Sequence, residues 1–149
     1  MEAIRFSILI NSNKQKVWHT MLDDKTYREW AKEFHVGSYY EGSWEKGSEI
    51  RFLAANEEGK LEGMLSKIKE NIPYQFISIE HLGMISNDII DTTSDEVKKW
   101  AHCFENYSLL EKGDMTELIV EMEVDPNYKS MFDEMWPRAL NTLKKMCEK

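Results

Sequence analysis

The stretch Asp125-Pro126-Asn127-Tyr128-Lys129-Ser130-Met131-Phe132-Asp133-Glu134-Met135-Trp136-Pro137-Arg138-Ala139-Leu140-Asn141-Thr142-Leu143-Lys144-Lys145-Met146-Cys147 decides the architecture of this chain. Its apolar residues, from Tyr128 and Met131 through Leu143, Met146 and Cys147, advance by alternating steps of three and one, which places them in a broad stripe along one long helix. Such a stripe must lie against an apolar surface. The residues before it alternate with period two, so the reading is a terminal helix laid across a curved antiparallel sheet. Three methionines and a tryptophan in the stripe suit an irregular or partly hollow interior. Pro137 removes the hydrogen bond to the Asp133 carbonyl and predicts a kink or break there; the alternative is that Trp136-Pro137 joins two successive helices.

Working back toward the amino terminus, Ile4, Phe6, Ile8 and Ile10 alternate with Arg5, Ser7 and Leu9 and predict a first strand with one well-buried face. Ser12 and Gln15 have capping-box spacing for a short helix with Val17, Trp18, Met21 and Leu22 on its inner face, and Asp23-Asp24 can cap a second one holding Tyr27, Trp30 and Phe34. Strand-like segments follow at Tyr39-Tyr40, Trp44, Ile50 to Leu53, Leu61 to Ile72 and Tyr74 to Met84. Cys103 to Glu111 and Thr116 to Val124 form a last hairpin. Between Met84 and Trp100 runs a polar stretch too long for a hairpin link, read as a lid, in which Ser94 caps one helical turn before Trp100 enters the next strand.

The length of 149 residues fits one domain, and the excess of 27 acidic over 19 basic residues, a net charge of −8, argues against nucleic acid as partner. Cys103 and Cys147 are too few for a disulfide framework, the start Met1-Glu2-Ala3-Ile4-Arg5 is not a signal peptide, and nothing reads as a membrane span. These features point to a reducing, cytoplasmic compartment.

Candidate chemistry is sparse. Glu80 and His81 are adjacent, so on a strand they face opposite ways unless a bulge intervenes. An inward His81 could be oriented by a cross-strand carboxylate such as Glu105 and serve as an acid or base; the plain alternative is a histidine hydrogen-bonded for structure. His19, His35, His81 and His102 lack metal-ligand spacing, Cys103 reads as an inert buried thiol, and no Gly-x-Ser-x-Gly occurs. The expectation is therefore no metal, no cofactor and no catalytic residue. Trp18, Trp30, Trp44, Trp100 and Trp136 either line an apolar pocket or simply pack the core.

The order of these elements resembles the START-like or Bet v 1-like superfamily, also called SRPBCC, and within it most closely the activator of heat shock protein 90 ATPase homologue-like family. The resemblance is carried by Val17-Trp18, Tyr27 and Trp30, Gly42-Ser43-Trp44-Glu45-Lys46-Gly47-Ser48, Ile68 to Pro73, Glu105-Asn106-Tyr107-Ser108-Leu109, Thr116-Glu117-Leu118, and Trp136 to Lys144. It covers essentially the whole chain. It implies an α+β helix-grip fold, a single domain over 1–149, with about six or seven antiparallel strands around the long helix and two short helices after the first strand. Members of the superfamily bind lipids, sterols or polyketides, and a few catalyse cyclisation or hydration.

The expectation is thus a protein that holds a small hydrophobic or amphipathic molecule between sheet and terminal helix, without covalent chemistry. Trp30, Phe34, Trp44, His81, Trp100, Tyr107, Met131 and Met135 are its candidate contacts. The resemblance leaves two alternatives: a co-chaperone-like module with a chaperone or another protein as partner, and a cyclase- or dehydratase-like enzyme using His81. The sequence holds no separate amino-terminal chaperone-binding domain, which weighs against chaperone activation.

Overall fold

The computed structural model describes residues 1–149. Strand β1 (Glu2–Ile10) forms where the isoleucines alternate, burying Ile4 and Ile10 and leaving Arg5, Ser7 and Leu9 exposed. Two short helices follow, α1 (Lys14–Leu22) and α2 (Asp24–Ala31). The cap of α1 is Asn13, whose side chain accepts from the Lys16 amide at 2.8 Å, and not the expected Ser12. Ser12 instead offers its carbonyl to the Thr116 hydroxyl at 2.8 Å. Asp23 sits at the α2 cap position without a side-chain cap bond, and Phe34 lies beyond the helix end.

The sheet then runs β2 (Tyr39–Gly42), β3 (Glu49–Ala55), β4 (Leu61–Ile72), β5 (Phe76–Ser86), β6 (Ile89–Asp91), β7 (Phe104–Lys112) and β8 (Met115–Val124), ordered β1-β8-β7-β5-β4-β3-β2 with β6 on β5. All pairings are antiparallel. The eighth strand exceeds the expectation because Ile89–Asp91 folds back on Met84–Ser86. Trp44 and Tyr74 fall outside the strands, Tyr74 in a turn with φ of 66°.

The stretch expected to be a lid holds a turn, the short strand β6 and one helical turn. Asn87 and Asp88 turn with positive φ, and Asp88 is tied to the β3–β4 turn by its side chain accepting from the Leu61 amide at 2.7 Å. One helical turn, α3 (Asp95–Lys98), follows, capped by Ser94 as expected. Trp100 ends this turn and does not enter β7. Gly83 permits the excursion to pass close, since a Cβ there would lie 2.5 Å from the Asp91 carbonyl oxygen.

A 3₁₀ turn (Pro126–Tyr128) leads into α4 (Lys129–Cys147), which continues through Pro137 as one helix and not as two. Trp136, Ala139, Leu140, Leu143 and Cys147 are its buried face, packed in one cluster with Ile4, Ile10, Leu118, Val120 and Val124. A small second cluster of Leu53, Leu65 and Ile85 sits apart. The two clusters belong to opposite faces of the sheet, because Ile50 and Leu53 are an odd number of residues apart on β3.

One irregularity positions the site. Along β4 and β5 the register passes from Leu65 opposite Gly83 to Ser66 opposite His81, leaving Leu82 unmatched as a β-bulge. Ile77, Ile79 and His81 face α4, whereas beyond the bulge Ile85 joins the far-side cluster.

Candidate functional site

Four polar side chains form a chain across the inner face of the sheet. Ser66 on β4 lies 2.7 Å from His81 Nδ1, and His81 Nε2 lies 3.0 Å from Glu105 Oε1 on β7. The Tyr107 hydroxyl donates to the other oxygen of Glu105. Ser66, His81 and Tyr107 are buried, and the Glu105 side chain is 16% exposed. The sheet sets this geometry: Glu105 opposes Ile79, Tyr107 opposes Ile77, and Ser66 opposes His81, so all four groups share one face. Both polar groups of the His81 backbone are tied to the segment before β7, the amide donating to the Cys103 carbonyl at 3.0 Å and the carbonyl accepting from the His102 amide at 2.7 Å. Glu80 points away and meets the exposed His102 ring at 3.0 Å.

The tautomer with hydrogen on Nε2 satisfies the whole chain. Ser66 then donates to Nδ1, Nε2–H donates to Glu105, and the Tyr107 phenol donates to the same carboxylate. Burial first, then the Glu105 charge and hydrogen bond, hold the Tyr107 phenol well above the ordinary tyrosine range. Burial and Glu105 likewise raise the Tyr27 phenol, and no hydrogen bond contributes there. Cys103 is pushed up to about 11 by burial and by Glu105 and Glu123, which makes it a protonated, unreactive thiol at neutral pH.

Aromatic rings close around this polar chain. Phe52 stands 6.4 Å from His81 and 6.2 Å from Tyr27; Tyr27 meets Trp30 at 5.3 Å; Phe34 meets Trp136 at 4.8 Å, and Trp136 meets Tyr107 at 6.0 Å. The polar handles of several rings serve the end of α1. Trp30 Nε1 donates to the Met21 carbonyl at 3.1 Å, while Trp44 Nε1 and the Tyr40 hydroxyl both donate to the Leu22 carbonyl, at 3.0 and 2.7 Å. These are carbonyls that a helix terminus leaves without intrahelical partners. The ring faces remain for packing or for a guest.

The eight sequence-predicted contacts are thus distributed. Trp30, Phe34, His81 and Tyr107 share the aromatic and polar cluster; Trp44 borders it, 5.7 Å from Phe52. Met135 is half-buried and Met131 is 39% exposed on the first half of α4. Trp100, half-buried after α3, makes no ring contact with the others. Tyr27, Phe52 and Ser66 join the cluster without being among the expected contacts. Only cross-strand register points to Ser66, and that register depends on the bulge.

Two clefts lie elsewhere. One, about 490 Å³, runs between β1 and α4 beside Phe6, Ile8 and Pro137; the other, about 420 Å³, lies at Lys46, Gly47 and Lys67 to Glu70. No group of three or more His, Cys, Asp or Glu side chains is placed to hold a metal ion.

No protein-family model matches this chain, and no curated protein matches it in sequence. Solved structures do match in three dimensions. The solution structure of the Aha1 dimer from Colwellia psychrerythraea superposes with a TM-score of 0.72 at 16% identity, over 99% of this chain and 97% of that one. The chain has the helix-grip fold. A solution structure from Cytophaga hutchinsonii gives a TM-score of 0.71 at 14% identity, covering 98% and 93% of the two chains. The crystal structure of CalU16 from Micromonospora echinospora gives 0.67 at 15% identity, covering 97% of this chain and 73% of that one. In all of them the likeness is one of helix-grip architecture, the fold expected from the order of the elements. No helix of this chain is long and apolar enough to cross a membrane.

Proposed function

We propose that this chain, acting as one domain in the cytoplasm, binds a small hydrophobic or amphipathic molecule between the inner face of its sheet, α2 and α4. The observation that carries the reading is the incomplete burial of inward-facing apolar side chains around a buried polar chain. Phe34, Phe52, Met64, Met84 and Met135 are half-buried, although Phe52, Met64 and Met84 stand side by side in register across β3, β4 and β5. Covering such surface is worth ~25 cal/mol per Å² before association costs. The Ser66–His81–Glu105–Tyr107 chain supplies the few convergent polar groups that orient a guest in an otherwise apolar site. Native mass spectrometry of the purified protein, followed by organic extraction, tests this. A discrete added mass that disappears in Phe52→Ala supports it; an unliganded mass together with no tryptophan-fluorescence response to a panel of amphiphiles overturns it.

One observation favours a second reading. His81 is held between a hydroxyl and a carboxylate, the arrangement that fixes a general base. In an enzyme of this kind His81→Gln would abolish turnover and leave ligand affinity intact; loss of affinity alone places His81 in binding.

A further inference from the structure

We propose that the guest is a cation: an amphipathic ammonium compound whose charged head rests on Glu105 within the ring of aromatic faces. This rests on the binding reading above and names its ligand class.

The first argument is one of charge. Glu105 is a largely buried carboxylate that no lysine or arginine approaches. The lysines and arginines that form ion pairs do so elsewhere, as Lys46 does with Glu70, Arg51 with Glu49 and Lys129 with Asp133. Its partners are an imidazole and a phenol, and the Nε2–H tautomer satisfies them without adding a positive charge. With His81 in that neutral tautomer, Glu105 is a carboxylate withdrawn from water and paired only with neutral donors, and so is incompletely compensated. Each oxygen accepts one bond from the protein and keeps lone-pair capacity for another donor.

The second argument is one of surface. Tyr27, Phe34, Phe52, Tyr107 and Trp136 pack in one aromatic cluster around the polar chain, and a cation that reaches the face of such a ring is attracted by the ring quadrupole. Tyr27, a half-buried residue, adds a hydroxyl that makes no hydrogen bond and lies in the field of Glu105. An anionic head would meet the carboxylate and the negative ring faces together. A neutral hydroxyl head can donate one hydrogen bond to Glu105 but brings no charge to offset it.

The test uses three ten-carbon amphiphiles that differ in head charge: decylammonium, decanol and decanoate. Each is titrated below micelle formation at physiological salt and followed by tryptophan fluorescence and calorimetry. The expected result is one equivalent of the cation bound at least tenfold more tightly than decanol, with decanoate weakest. Glu105→Gln should bring the cation down to the affinity of decanol and leave decanol unchanged. Equal affinity for cation and decanol overturns the charge proposal and keeps the binding reading; no response to any of the three overturns both. Several equivalents of cation, insensitive to Glu105→Gln, also overturn it as adsorption to an acidic surface. If the variant does not fold, the comparison of the three heads on the natural protein decides alone.

Discussion

The two halves of α4 pack against different kinds of surface. After Pro137, Ala139, Leu140, Leu143 and Cys147 are each at most 3% exposed and meet aliphatic strand residues such as Ile10 and Val120. Before it, Met131 is 39% exposed and Phe132 and Met135 are half-buried, with Trp136 at the junction facing Phe34 and Tyr107. One half packs its buried face against branched side chains, with the cleft beside Phe6 and Ile8 along its edge, and the other is left loose beside aromatic side chains and a polar chain. A helix can therefore anchor a fold at one end and border a site at the other. Pro137 suits the boundary, because it cannot donate to the Asp133 carbonyl and so separates two stretches of the hydrogen-bond ladder.

The contrast can be broken most directly at Leu143. Leu143→Ala should lower unfolding free energy by about 2–5 kcal/mol, read from denaturant midpoints, since the site has no solvent to refill it. On the loose side, Tyr107→Phe should cost about 1–2 kcal/mol by taking a donor from the buried Glu105. The same variant sharpens a pH effect. The folded Tyr107 phenol is raised, so the folded state holds its proton where the unfolded chain loses it, and stability is fully present below about pH 10 and falls as pH rises past it. Tyr107→Phe should flatten that fall; an unchanged slope would exclude Tyr107 as its source. Ser66→Ala should cost about 1 kcal/mol through the lost bond to His81, visible as a changed imidazole resonance by NMR. Met131→Ala should change stability by no more than about 0.5 kcal/mol; a loss approaching that of Leu143→Ala would erase the difference between the halves.

Much of this contrast is legible in the sequence. The three-and-one spacing of α4 and the alternation in β1 and β8 are local periodicities that burial follows closely. The link between His81 and Glu105 is readable only conditionally, because it depends on which face of β5 the imidazole takes. The capping of α1 differs from expectation by one residue, since Ser12 and Asn13 are both good caps and a long-range bond from Thr116 engages the Ser12 carbonyl. Trp44 reads as a strand residue by its type, yet the capping need of α1 draws it into a loop. Trp100 and the Met84 to Trp100 stretch depart from expectation because Asn87 and Asp88 adopt positive φ, allowing a tight turn that composition does not distinguish from an irregular loop. Ser66 carries no signal of its own, being one polar residue in an alternating strand.

The bulge at Leu82 also makes β5 a strand with two parities, odd-numbered residues facing inward up to His81 and even-numbered ones from Met84. Loss of Leu82 itself would merge the two into one regular ladder and leave Met84 inward and Ile85 outward. Loss of one residue elsewhere in the strand, such as Ser78, would instead turn one end over, carrying Ile77 out of the core or Ile85 into it. The bulge at Leu82 and Gly83 is thus the part of β5 where loss of one residue leaves the inner face intact, and elsewhere in the strand the count of residues matters to the site as much as the identity of His81.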